Sequence, residues 1–229
     1  MTKTDTLLYQ LITYMIEIKN ILTEKFNQIR LKNNKVKFVQ IGAYDGESLD
    51  DMVNLTINKN DKGLFIEPNY YIFDKLKENK KEFSESNFLD FAILPNNNFN
   101  QEYFHVQKVG GGSSFIRGYM NKDNLESKNF ELGSVKRITV EELIKNYLDF
   151  IPDVYFIDCE GYDHDIVKNV LDYQSPEIFY FESWDMKNIN YALNDNLFTN
   201  RNDIMEFLKN KKYEVIFDKL SENILAYKI

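Results

Sequence analysis

The run Val36-Lys37-Phe38-Val39-Gln40-Ile41-Gly42-Ala43-Tyr44-Asp45-Gly46 constrains the fold more than any other stretch of the chain. Its first six residues are mostly apolar and β-branched or aromatic, the composition of a strand buried on both faces of a sheet. Two glycines then bracket a tight turn, and residues 48–57 read as a helix. A buried strand passing through a glycine turn into a helix is the opening unit of a nucleotide-binding α/β sheet. At Gly42 the missing Cβ lets the backbone approach a ligand, and free N–H groups at the helix start are expected to face it. The same pattern also serves as a plain tight connection, so the second strand matters. Gly63-Leu64-Phe65-Ile66-Glu67-Pro68 ends in a carboxylate 25 residues after Gly42. An acid at that tip can accept hydrogen bonds from both hydroxyls of a ribose.

The alternation continues along the chain. Residues 4–30 read as an amphipathic helix, with Leu7, Leu8, Leu11, Met15, Ile18, Leu22, Phe26 and Ile29 at helical spacing. That stripe needs a cover, either its own sheet or a second copy of the chain in a homodimer. Residues 1–32 are therefore taken as a helical extension and 33–229 as the α/β domain. Residues 70–80 read as a helix, 87–94 as a third strand and 101–106 as an edge strand. Val109 to Phe115 holds three glycines, then Ser113 and Ser114, and reads as a ligand-covering loop or a long surface loop. A strand at 135–139 leads into Thr139-Val140-Glu141-Glu142, whose capping-box spacing opens a helix to about Leu148. Residues 154–158 and 178–182 are buried strands, 163–171 and 202–210 helices, and 213–218 with 224–227 a terminal antiparallel hairpin. The class predicted is α/β, with a mostly parallel, doubly wound sheet.

At 229 residues the chain can bury one sizeable core, and its 43% hydrophobic and 15% aromatic content exclude a disordered protein. A net charge of −8, with lysines interleaved among acids, disfavours nucleic acid as a partner. The locally basic stretch from Lys75 to Lys81 is expected to be a solvated helix face. No apolar run of about 18 residues is present to span a membrane. There is no basic segment followed by an apolar one to mark secretion, and the single Cys159 suits a reducing compartment. The expectation is a cytoplasmic protein.

Three strands end in acids: Glu67, Asp158 and Glu182. An open parallel sheet binds its ligand at the carboxyl ends of its strands, so these carboxylates should gather there with Gly42 and Gly46. The densest cluster is Ile157-Asp158-Cys159-Glu160-Gly161-Tyr162-Asp163, followed by His164 and Asp165. Asp158 and Glu160 can alternatively cap helix N–H groups. His164 is read as an exposed residue of a first helical turn. Tyr162 and Trp184 are read as core, with stacking on a sugar ring as the alternative.

The pieces around Gly42, Glu67 and Asp158, taken together and in this order, resemble FkbM-type methyltransferases, and the resemblance runs from about Val36 to Tyr227. It implies a class I Rossmann-like fold with a C-terminal antiparallel hairpin, and S-adenosylmethionine as cofactor. It further implies that Gln40, Gly42, Ala43, Tyr44, Asp45 and Gly46 wrap the methionine part, that Glu67 and Pro68 meet the ribose, and that Asp90, Phe91 and Ala92 lie by the adenine. Ser113 and Ser114 match a serine-containing stretch that closes over cofactor or touches substrate. Tyr44 stands where the family usually has Asn, and Gln40 where many members have an acid.

The implied reaction is O-methylation, by default of a sugar hydroxyl in a glycan or glycoconjugate. An alcohol becomes a nucleophile when its proton is removed or a metal lowers its pKa. Asp158 is the first candidate for base or metal ligand, with Glu160 and Glu182 as partners. Hard oxygen donors of this kind suit magnesium or calcium. Two alternatives stay open. One is a catalytically silent cofactor- or protein-binding domain. The other is an NAD-dependent oxidoreductase, which would need a fuller Gly-x-Gly-x-x-Gly than this turn contains.

Overall fold

Short strands that are apolar on both faces need helices on both sides of their sheet, and the computed structural model has that arrangement. It describes the backbone of residues 3–48, 51–96, 104–108, 130–159, 161–183, 200–219 and 221–229, with side chains except at 3–16, 51, 104, 105, 130 and 132. The chain begins with α1 (Lys3–Asn33), β1 (Lys37–Ile41), α2 (Asp51–Thr56), β2 (Lys62–Ile66), α3 (Phe73–Asn79) and β3 (Asn87–Leu89). Next come β4 (Phe91–Leu94), β5 (Phe104–Gln107), β6 (Phe130–Gly133), β7 (Lys136–Thr139) and α4 (Val140–Glu142), which widens into a π-turn at Leu143–Tyr147. The last elements are β8 (Val154–Ile157), α5 (Asp163–Tyr173), β9 (Ile178–Glu182), α6 (Arg201–Asn210), β10 (Tyr213–Asp218) and β11 (Asn223–Lys228).

Seven strands form the main sheet, in the order β3-β2-β1-β8-β9-β11-β10. The first five of these run parallel, while β11 is antiparallel to both β9 and β10. Counting sheet strands along the chain, the order is 3-2-1-4-5-7-6, the doubly wound Rossmann-like sheet with an inserted last strand. The chain moves outward from β1 on one side and returns beside it as β8, so the crevice belongs above the ends of β1 and β8.

Alternate residues of each strand feed two cores. Val39, Ile41, Tyr155, Ile157, Phe179 and Phe181 face α5 and α6. Phe38, Phe65, Phe156 and Tyr180 face the other side, where α1 contributes Ile18, Leu22, Phe26 and Ile29. Each such aromatic contributes roughly 1.5–3 kcal/mol by leaving water. The second half of the α1 stripe is thus covered by the chain's own sheet. Arg30 and the buried Asp61 fasten its end at 2.6 Å, and the same carboxylate accepts the Val36 and Asn58 N–H groups at 2.9 Å each.

The third strand departs from expectation. It pairs with β2 only as far as Leu89, then breaks at Asp90, and β4 pairs instead with β7 in a separate two-stranded sheet. The Glu67 N–H donates to the Leu89 carbonyl at 3.0 Å, which closes the ladder at the tip of β2. Thr139 and Glu142 form the expected capping box.

Candidate active site

Strand register aligns the tips. Ile41 pairs with both Ile66 and Ile157, Ile66 with Leu89, and Ile157 with Phe181. One residue further on, Asp90, Glu67, Gly42, Asp158 and Glu182 follow one another across the sheet, and Glu182 is itself paired with Asn223 of β11. The three strand-end acids therefore share one edge with the glycine turn.

Gly42 is where β1 and β8 come closest to colliding. Its φ is +78°, and a Cβ there would sit 1.8 Å from the Asp158 carbonyl oxygen. The Gly42 and Ala43 N–H groups both donate to the Ile66 carbonyl at 2.9 Å, which folds the turn over the end of β2. Tyr44, half-buried, also takes a positive φ of 47°. That strain points its N–H at Glu67, whose Oε2 accepts it at 2.8 Å, while Oε1 accepts the Asn69 N–H at 2.8 Å. Glu67 is buried, and burial pushes its carboxyl up to about 7 although these two hydrogen bonds oppose the rise. Glu67 thus clips the glycine turn to the loop after β2, with Pro68 half-buried between its two anchor points.

Asp45 organises the other end of the turn. Its Oδ1 accepts the N–H groups of Glu47 (3.0 Å) and Ser48 (2.8 Å), and its Oδ2 takes Ser48 Oγ and Lys75 Nζ, both at 2.5 Å. Burial raises this carboxyl, but Lys75, Ser48 and Glu47 outweigh it and hold it well below the usual range. Two expectations change here. The N–H groups of Glu47 and Ser48, at the entrance to α2, face Asp45 rather than a ligand. The Lys75–Lys81 face is not merely solvated either, because Lys75 holds Asp45 and the buried Lys80 reaches Asn54 Oδ1 at 2.6 Å.

Asp158 stands exposed at the tip of β8, its N–H bonded to the Ile41 carbonyl at 2.9 Å. The loop after it is shaped by Asp163, whose carboxylate accepts the Cys159 N–H at 2.8 Å and the Gly161 N–H at 3.0 Å. Burial pushes Asp163 up to about 6 against those bonds. Tyr162 is core. His164 is buried rather than exposed, with Nε2 2.8 Å from Ser183 Oγ and its ring edge-on to Phe181. Arg201 Nε reaches the Ser183 carbonyl at 3.0 Å, and its guanidinium lies 4.0 Å from the Phe217 ring centroid. Ser183 directly follows the half-buried Glu182, so this network fixes the exit of β9.

Asp90 meets Lys136 at 2.7 Å, Phe91 packs against Tyr147, and Ala92 is buried in β4. Of these three, only Asp90 reaches the row of tips. Ser113, Ser114, Glu160 and Trp184 lie outside the described residues. Below the row, on the α1 and α2 side, lies a narrow cleft that opens to solvent. Gln40, Ile41, Val53, Phe156, Ile157, Asp158, Tyr180 and Asn223 line it. Asn223 Nδ2 donates to Tyr180 Oη at 3.0 Å. Neither residue stood out in the sequence, since their meeting depends on β11 lying beside β9. Among the described residues no group of three or more His, Cys, Asp or Glu side chains is placed to hold a metal ion. Nor is any helix among them long and apolar enough to cross a membrane.

No protein-family model matches the chain, and no curated protein does. Solved structures similar to it include a methyltransferase from Geobacter sulfurreducens (9% identity, TM-score 0.43, covering 100% of this chain and 91% of that one). Others are methyltransferase FkbM from Methylobacillus flagellatus KT (13%, 0.45, covering 84% and 43%) and precorrin-6y C5,15-methyltransferase from Geobacter metallireducens GS-15 (15%, 0.41, covering 93% and 88%). At these identities and scores nothing about substrate or chemistry passes from them to this chain.

Proposed function

We propose that the chain is an S-adenosylmethionine-dependent O-methyltransferase of FkbM type, acting on a sugar hydroxyl. The observation that carries this reading is the alignment of Glu67, Gly42, Asp158 and Glu182 along one sheet edge, above a cleft at the topological switch point. The residues fit the cofactor. The Gly42–Gly46 backbone, with Gln40 beneath it, provides a turn free of side chains at its closest point, and Glu67, whose two oxygens also hold the Tyr44 and Asn69 N–H groups, stands at the ribose position in this reading. Pro68 and Asp90, with Phe91 and Ala92 behind it, form the adenine side in this reading. Asp45 serves by holding the turn through Lys75 and Ser48. Bound there, S-adenosylmethionine supplies a methyl group on a sulfonium.

Asp158 is the proton acceptor in this reading. It is exposed at the cleft and placed so that an acceptor hydroxyl can lose its proton to the carboxylate as oxygen becomes bonded to carbon. Such positioned bases contribute about 10²–10⁴-fold. Glu182, one strand over, orients the acceptor. Asp158 and Glu182 are the neighbouring carboxylates that would hold a divalent cation in this reading, and among the described residues no group of three or more His, Cys, Asp or Glu side chains is placed to do so. The test is calorimetry with S-adenosylhomocysteine and NADH, followed by turnover of Asp158→Asn. The expected result is binding of the first ligand alone, with the variant keeping affinity within about threefold while losing about 10²-fold or more in turnover. Failure to bind S-adenosylhomocysteine sinks the reading, and NADH binding in its place favours the oxidoreductase.

A further inference from the structure

The cleft continues past Asp158, away from the glycine turn, and its far wall has no part in the reading above. That wall is Tyr180 of β9 and Asn223 of β11, joined by the 3.0 Å hydrogen bond from Asn223 Nδ2 to Tyr180 Oη. Resting on the methyl-transfer reading, we infer that Tyr180 and Asn223 are the acceptor-selecting residues, holding an uncharged hydroxylated acceptor and turning away phosphorylated or carboxylated ones.

Position argues first. Gly42 and Glu67 occupy the β1–β2 side of the tip, and Asp158 stands next on β8. The base must reach the acceptor oxygen while that oxygen faces the methyl group, and the strands next to Asp158 on the side away from the glycine turn are β9 and then β11. Neighbouring strands are about 4.8 Å apart, so Asn223 sits roughly three spacings from β1. That leaves a span between them along which an acceptor can lie, with the narrow cleft beside Asp158, Tyr180 and Asn223 open to receive one of its hydroxyl-bearing edges.

Chemistry argues second. The Tyr180 phenol and the Asn223 carboxamide each combine donor and acceptor capacity, the match for hydroxyl groups, which do the same. Phe156 and Val53 add an apolar floor for a carbon skeleton.

Charge argues third. Among the described lining residues the charged side chain is Asp158, and Glu182 lies beside it in the row of tips. The nearby guanidinium of Arg201 is turned onto Ser183 and Phe217 instead. A phosphate or carboxylate would enter against two acidic groups, with no cation among the described lining residues to offset them.

The experiment is saturation-transfer NMR on the full chain loaded with S-adenosylhomocysteine, using methyl α-glucopyranoside and glucose 6-phosphate as probes. Wild type, Tyr180→Phe and Asn223→Ala are compared, with thermal midpoints as a check on folding. Tyr180→Phe keeps the packed ring and carries the test if Asn223→Ala does not fold. The wild type is expected to saturate the glucoside and not the phosphate. The variants should bind the glucoside about fivefold to tenfold more weakly, as expected for one lost hydrogen bond, with S-adenosylhomocysteine affinity unchanged. Equal binding of the phosphate, variants as good as wild type, or no transfer to the glucoside each overturn the inference. Loss of S-adenosylhomocysteine binding in the wild type overturns the methyl-transfer reading instead, which separates the two failures.

Discussion

Replacing Glu67 by glutamine removes a titration while keeping the shape of the side chain. In the folded protein this carboxyl is buried, bonded to the Tyr44 and Asn69 N–H groups at 2.8 Å each, and pushed up to about 7 from an ordinary 4.5. Between those two values the folded chain holds a proton that the unfolded chain has released. Stability therefore falls as pH rises through this window. The full gap corresponds to about 3 kcal/mol lost between pH 4 and pH 8. Glutamine has one acceptor oxygen for two N–H groups, so Glu67→Gln should cost about 1–3 kcal/mol at pH 4. By pH 8 the difference from wild type should shrink by about 3 kcal/mol, enough to cancel or reverse it. Urea unfolding of both proteins at pH 4, 6 and 8 measures this directly. Parallel stability curves would show that Glu67 does not titrate between 4.5 and 7, and the burial argument would be refuted.

Gly42→Ala would place a Cβ 1.8 Å from the Asp158 carbonyl at a φ of +78°, so β1 and β8 would have to part at their tips. A loss of about 3 kcal/mol or more is expected in urea unfolding, and a change under 1 kcal/mol would contradict the close approach. Lys75→Met strips Asp45 of its exposed partner, letting the carboxyl rise toward its usual value. The stability that this depressed group contributes is present above its unfolded pKa and lost as pH falls. The acid-unfolding midpoint, read by circular dichroism, should therefore move to higher pH, and an unmoved midpoint would contradict the role given to Lys75.

Much of the sheet is legible in the sequence because Val154-Tyr155-Phe156-Ile157 and Ile178-Phe179-Tyr180-Phe181 are apolar without a break, and an unbroken run has one destination in an α/β fold. The strand-end acids are legible for the same reason, since register follows from strand ends. His164 is not. Its burial depends on Ser183 and Arg201, which come 19 and 37 residues later, and a histidine in a first helical turn carries no local sign of them. The third strand misleads because Phe88, Phe91 and Ile93 alternate across a break that only the short β2 imposes. Lys75 and Lys80 look solvated among their acidic neighbours, and only the folded turn brings Asp45 and Asn54 to meet them. Asn223 is invisible until β11 is known to lie against β9 rather than at the sheet's margin.

That insertion of β11 has a consequence for how the molecule comes into being. Both of its partners, β9 and β10, precede it in the chain. As the polypeptide leaves the ribosome, β9 waits with an open edge, and β10 has no neighbour in the main sheet until Asn223–Lys228 follows. Strand pairing of this kind is slow, and an unpaired apolar edge such as Ile178-Phe179-Tyr180-Phe181 invites association with other chains while it waits. The same late event brings Asn223 to Tyr180 and finishes the cleft. An unfinished molecule is thus at once sticky and without its acceptor wall, and a single pairing step ends both conditions.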